Sequence, residues 1–233
     1  MKRSLNRNEL KYIAIIAMLL DHIGMFFIPV TNPGGCILRV LGRLTAPIMC
    51  FFIAEGYFYT KSKKNYGLRL FVFAVISQFA YSFAHYNKWF TWDFNMIFTL
   101  FISFLVLLSY DKIKNNILKW ITIFVLIVIS FNGDWAIIAP LWVLVFWIFR
   151  DKPKEKFISY GIISLTVVLS SLVFMVVNGY HWYGELWQLG LFICIPLLLL
   201  YNGEKGKVSY LNKWIFYIFY PLHLVILGLI NLF

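Results

Sequence analysis

The feature that most constrains this chain is the recurrence of long apolar segments separated by short polar stretches. They run at about residues 11–30, 36–59, 69–86, 95–110, 117–131, 134–149, 157–178, 185–201 and 213–232. A helix of roughly 20 apolar residues crosses a hydrocarbon core, and a helix satisfies its own backbone hydrogen bonds, as lipid requires. The pattern predicts an all-α, polytopic integral membrane bundle of about nine transmembrane helices. Connections are mostly short and no internal repeat is visible, so residues 1–233 read as a single transmembrane domain. Composition agrees: 61% of residues are hydrophobic and 13% charged, where soluble domains carry about 45–50% and about 25%.

A net charge of +11 raises the question of nucleic acid, but the basic residues fall in clusters between apolar runs rather than along one surface. Counted connection by connection, 18 of the 21 Lys and Arg residues fall on one side of a nine-span chain, and only Lys88 lies in an opposite connection. By the excess of basic residues in cytoplasmic loops, the N-terminus is expected in the cytoplasm and the C-terminus outside, in a multi-pass protein of a bacterial cytoplasmic membrane. Nucleic acid is not an expected partner, whereas membrane lipids are. Lys2, Arg3, Arg7 and Lys11 precede an apolar run as in a signal peptide, but Asp21 and His22 interrupt that run and no small-residue cleavage site follows. It reads as a retained first span. Cys36, Cys50 and Cys194 form no CxxC pair, so neither a metal site nor a disulfide framework is expected.

Ionisable groups inside spans are costly and need a partner, a wet cavity or a job. Here they are Asp21, His22, Arg39, Arg43, Glu55 and His223, with the amide of Gln78. His22 lies eleven residues beyond Lys11, His223 ten beyond Lys213 and Gln78 nine beyond Arg69, which at 1.5 Å per residue puts all three roughly 14 to 17 Å from the basic boundary. Two imidazoles at one depth suit proton transfer near neutral pH, although a histidine in a span can also simply tie two helices together. Asp21 points about 100° away from His22 around the helix, so Arg39 or Arg43 is a more natural partner for it. Those arginines, spaced i, i+4, leave one face of the second span; they can pair with Asp21 or hold a substrate anion. Pro47, four residues after Arg43, should loosen that helix. Glu55 falls back toward a basic loop. Lys63, Lys64 and Arg69, with Lys61, make the densest basic connection, which suits the phosphates of a cytosolic donor as well as simple topology.

LKYIAIIAMLLDHIGMFF (10–27), LRVLGRLTAPIMCFFIAEGYFYTKSKKNYGLRLFVFAVISQ (38–78) and FYIFYPLHLVIL (216–227), with NMIFTL (95–100) and GDW (133–135) between them, resemble the TraX family, named for a membrane protein that acetylates the N-terminus of conjugative pilin. Those relatives resemble polytopic acyltransferases that pass an acyl group from cytosolic coenzyme A to acceptors across the membrane. The resemblance implies acetyl-CoA as donor and a pilin-like or peptide acceptor. It also implies His22, His223 and Asp21 as catalytic candidates, with Lys11, Lys63, Lys64 and Arg69 toward the coenzyme A thioester. Arg39, Arg43, Glu55, Gln78, Asn95 and Tyr220 are implied toward the acceptor. The basic residue eleven before His22 is Lys11 where Arg is usual in that group, and glycines expected after NMIFTL and GDW are absent. The residues also admit a proton-coupled transporter or exporter of a small anionic or peptide substrate, in which the histidines relay protons. An assembly factor without chemistry would leave the polar groups within the spans unexplained.

Overall fold

The structure is a computed structural model describing residues 4–207 and 209–232; nothing is said of the side chains of residues 210–213. Lys2, Arg3 and the side chain of Lys213, which enter the charge count above, lie outside the described residues. The described residues are helical throughout apart from turns and two isolated bridges. The helices are α1 (Arg7–Phe27), α2 (Pro33–Gly42), α3 (Thr45–Tyr59), α4 (Lys63–Tyr86), α5 (Met96–Lys112), α6 (Asn116–Ile129), α7 (Ile138–Ile148), α8 (Pro153–Val177), α9 (Cys194–Leu199) and α10 (Tyr210–Asn231). A 3-10 turn, Ser130–Asn132, follows α6, and a 3-10 segment, Trp182–Ile193, leads into α9.

Among the described residues six helical stretches are long and apolar enough to cross a membrane: Arg7–Phe27, Pro33–Tyr59, Lys63–Tyr86, Pro153–Val177, Trp182–Leu199 and Trp214–Asn231. The other expected spans coincide with α5 and with the apolar stretches Asn116–Asn132 and Ile138–Ile148. Many of the large apolar side chains on α4, α6 and α8 point outward, among them Phe71, Phe79, Phe124 and Phe174, as expected where lipid rather than water covers the surface.

Local sequence explains the helix limits. Asn6 opens α1 with a capping box, its side chain accepting from the Asn8 and Glu9 amides while Glu9 Oε2 accepts from the Asn6 backbone N–H at 2.7 Å. Asn32 with Pro33 starts α2, and Ser62, Asn95 and Asn115 cap α4, α5 and α6. Asn87 closes α4 in the left-handed conformation. The second apolar segment is not one helix. Pro47 has no N–H to give the Arg43 carbonyl, and its ring crowds that carbonyl, so the chain turns at Arg43–Leu44 before α3 begins.

The chain divides into two compact units, residues 1–48 with 157–233 and residues 49–156. In the first, α1 packs on α2 and α10, and α2 on the 3-10 segment. Gly190 carries no Cβ, which would overlap the Val40 carbonyl, so the 3-10 segment lies directly on the α2 backbone. The buried Tyr160 of α8 donates its hydroxyl to Leu191 O at 2.8 Å. Ahead of α1, Ser4 and Leu5 pair with the backbone of Leu200 and Asn202.

In the second unit α5 is central, packed by α4, α6 and α7. The C-terminal ends of α3, α5 and α7 gather at one end. There Tyr57 donates to Asp111 Oδ2 at 2.7 Å, and Arg150 Nε donates to Glu55 Oε1 at 3.1 Å. At the other end the chain before α5 bridges to the turn after α6, with Asp134 N donating to Phe94 O at 2.8 Å.

Candidate functional site

Two histidines from opposite ends of the chain meet inside the first unit. The buried face of α10 carries Phe216, Tyr220, His223, Leu224 and Leu227, spaced at helical period so that one stripe faces α1. The His22 and His223 rings lie 4.9 Å apart, edge to face. Each ring is tied to its own helix one turn back: His22 Nδ1 is 2.8 Å from Met18 O, and His223 Nδ1 is 2.8 Å from Phe219 O. A carbonyl only accepts, so both Nδ1 atoms carry hydrogen and each neutral ring keeps its lone pair on Nε2, an assignment read from the hydrogen-bond network. His223 Nε2 lies 3.4 Å from His22 Nδ1. The His22 Nδ1–H is thereby shared between Met18 O and the basic nitrogen of His223. Phe219 stacks on His223 at 4.9 Å, Tyr220 stands 5.8 Å away, and Phe26 lies 6.0 Å from His22. One imidazole can therefore take a proton at Nε2 while the other steadies the resulting cation through Nδ1–H.

Asp21, next to His22 in sequence, faces the other way. It accepts from Arg39 Nη1 at 2.9 Å and from Arg43 Nη2 at 3.0 and 2.9 Å on its two oxygens. These side chains are only 9–15% exposed, so the pairing offsets a desolvation that an isolated charge in a span would not survive cheaply. Gly42 makes the approach possible, because a Cβ there would overlap the Asp21 carboxyl. Both guanidiniums lie against the Trp187 ring, at 4.4 and 4.5 Å, a further stabilisation of cations out of water. Glu185, whose carboxylate feels both guanidiniums, adds a second acidic group to this cluster. Beside them Gln188 Nε2 donates to Glu185 Oε2 at 3.2 Å, while Gln188 Oε1 and Trp187 Nε1 are buried with no hydrogen-bond partner among the described residues.

Of the residues expected toward the donor, Lys11 of the first unit lies 5.8 Å over the Phe216 ring. The others belong to the second unit. Lys63 Nζ caps the end of α3, donating to the carbonyls of Tyr57 and Thr60; Arg69 lies 5.4 Å over Tyr66, and Lys64 is exposed. Glu55 pairs with Arg150 of the α7–α8 connection. Gln78 and Asn95 also lie in the second unit and spend their amides on the protein. Gln78 Nε2 donates to Thr91 O, Asp93 O and Ser82 Oγ, and its Oε1 accepts from the Asn95 amide and side chain. Asn95 donates to Ala74 O and caps α5. This network braces the α4–α5 connection. Among the described residues no group of His, Cys, Asp and Glu is placed to hold a metal ion.

The description "TraX protein" matches residues 6–231 as a family model. The chain belongs to the TraX family. Another protein similar to it, a probable fimbrial assembly protein, FimC of serogroup H1, from Dichelobacter nodosus, is 32% identical over 231 residues, covering 94% of this chain and 93% of its own. An uncharacterized protein of Rickettsia prowazekii (strain Madrid E) is 41% identical over 70 residues, 30% of this chain and 24% of that protein. No solved structure matches the chain. Within this TraX-family chain, Trp187 and Arg150 are the site neighbours that sequence reasoning did not single out. A Trp in an apolar segment and an Arg in a basic loop each have an ordinary membrane explanation, and only three-dimensional proximity distinguishes them.

Proposed function

We propose that this chain is a membrane-embedded acyltransferase, moving an acetyl group from cytosolic acetyl-CoA to an amine, such as a protein or peptide N-terminus, or to a hydroxyl at the membrane or its outer side. The observation that carries it is the pair of histidines, tethered to α1 and α10 so that both point Nε2 away from their own helices. In this reading His22 Nε2 takes the proton from the attacking amine or hydroxyl. The acceptor atom bonds to the thioester carbonyl carbon, the C–S bond breaks, and the proton on His22 passes to the departing thiolate to give free coenzyme A. His223 accepts from His22 Nδ1–H and stabilises the transient imidazolium. Asp21 belongs to this reading through the arginines rather than by touching the imidazoles. The unpartnered Trp187 and Gln188 atoms beside the Arg39 and Arg43 guanidiniums suit a polar group of the acceptor. Tyr220 borders the pair; Lys11, Lys63, Lys64 and Arg69 favour approach of the donor's phosphates.

The same reading takes the nine segments as nine spans in a bacterial cytoplasmic membrane, N-terminus inside and C-terminus outside, with a pilin-like or peptide acceptor in keeping with a relative called a fimbrial assembly protein. The test is acetyl-CoA consumption by the purified chain in lipid nanodiscs, followed by release of the free thiol, with and without an unblocked pilin-like peptide. Thiol release matched by a mass gain of one acetyl group on the peptide is expected. A protein that neither binds nor consumes acetyl-CoA, and instead moves protons with a solute across vesicles, would overturn the enzymatic reading in favour of a transporter.

A further inference from the structure

The C-terminal ends of α3, α5 and α7 border an open cleft of about 350 Å³, lined by Phe58, Tyr110, Trp147, Ile148, Arg150 and Asp151. That size falls in the range of small-ligand sites, about 300–1,000 Å³. Its walls combine two chemistries. Three rings form one: Trp147 is braced edge-on by Tyr57 at 5.1 Å and borders Phe58 at 6.2 Å, and Tyr110 stands on the neighbouring helix. Cations form the other. The Arg150 guanidinium sits 3.5 Å over the Phe58 ring, held by Glu55 and the Tyr59 hydroxyl, and Lys119 lies 5.5 Å over Tyr110.

The surroundings are strongly positive. Residues 55–69, 111–119 and 150–156 hold eleven Lys or Arg against four Asp or Glu. Two of those four carboxylates are already engaged, Glu55 by Arg150 and Asp111 by Tyr57 and Lys112. Asp151 is almost fully exposed and 3.9 Å from Arg150, so it screens that cation only weakly. A bare anion would need none of the rings, and an apolar ligand would need none of the cations. A planar heteroaromatic base carrying phosphates uses both, by stacking on the rings and pairing with Arg150 and the lysines around it.

We infer that this cleft binds the adenine nucleotide end of the acyl donor, with Trp147 and Tyr110 as the stacking walls and Arg150 as a phosphate contact. The inference rests on the acyl-CoA reading above and concerns residues of the second unit alone.

Isothermal titration of the full chain in nanodiscs tests it, with adenosine 3′,5′-bisphosphate, inorganic phosphate and acetyl-CoA as separate probes. The bisphosphate is expected to bind and to compete with acetyl-CoA, and inorganic phosphate to do so far more weakly. Trp147→Leu should weaken both nucleotide probes about tenfold or more, as the loss of a stacked base does. Because Arg150→Gln alone would strand buried Glu55, the paired variant Glu55→Gln with Arg150→Gln removes both charges together. It should weaken the bisphosphate and acetyl-CoA alike. Acetyl-CoA binding that survives in both variants would overturn the cleft assignment and leave the donor reading standing. Equal competition by inorganic phosphate would overturn the nucleotide in favour of a bare anion or lipid headgroup. A wild-type chain that binds no acetyl-CoA would overturn the donor reading and this inference with it.

Discussion

Replacing the two histidines singly and together separates a catalytic pair from a structural clasp. If His22 Nε2 is the base, His22→Ala should lower turnover by about 10²- to 10⁴-fold, the usual contribution of a positioned acid or base. His223 acts through one hydrogen bond to the His22 cation. Such bonds contribute about 1.5–3 kcal/mol, and the 3.4 Å separation is longer than the usual range of about 2.7–3.2 Å. The lower end, about 1.5 kcal/mol, corresponds to about tenfold in rate. His223→Ala should therefore lose about tenfold, and His223→Gln, which keeps an acceptor oxygen, should recover part of it. The double variant should lose no more than His22→Ala alone, because His223 has nothing left to assist. The assay is thiol release from acetyl-CoA by nanodisc-reconstituted protein, normalised to the folded fraction, with a melting curve on each preparation. A clasp predicts another pattern: loss of an interhelical hydrogen bond costs about 0.6 kcal/mol in a membrane, lowering melting temperature with turnover per folded molecule intact. Normal turnover in folded His22→Ala protein, or losses that multiply in the double variant, would refute the shared mechanism.

Gly42→Ala should push the new methyl into the Asp21 carboxyl and destabilise the fold by about 1–3 kcal/mol, as overpacking does; an unchanged melting temperature would show that α1 and α2 are not so close. Arg43→Ala should abolish acetyl transfer and Arg43→Lys restore little, since an ammonium reproduces neither the contact with both Asp21 oxygens nor the stacking on Trp187. Full activity in the alanine variant would reduce Arg43 to a structural ion. Gln78→Leu should leave the buried Asn95 backbone N–H without its acceptor, costing about 1–3 kcal/mol, while turnover per folded molecule stays within a few-fold if the amide is a brace. In a variant lacking native cysteines, an impermeant thiol reagent applied outside the cell should label Lys88→Cys and Tyr180→Cys but not Lys64→Cys or Lys154→Cys; the reverse pattern would end the proposed orientation.

The chain's residue order determined more than its helices. The nine apolar segments all recur as helices or helix pairs, because a mostly apolar stretch of about 15 to 25 residues has little alternative once lipid forbids unsatisfied backbone. Helical periodicity also separated Asp21 from His22: a 100° turn sends adjacent side chains to different neighbours, and the carboxylate did go to Arg39 and Arg43. Pro47 marked the break before α3 for a purely local reason, its missing N–H. Equal counting from the basic boundary matched His22 with His223, but depth along an axis carries no information about azimuth. Only the packing of α10 on α1 turned equal depth into a 4.9 Å ring contact. The same limit explains Gln78. The count from Arg69 grouped it with the histidines, whereas its place in the second unit, set by four polar groups of residues 91–95 and by Ser82 of α4, depends on how residues 87–95 fold back over α4. Trp187 against the two guanidiniums and Arg150 over Phe58 are likewise products of tertiary structure, since residues far apart in the chain share no periodicity that sequence can register.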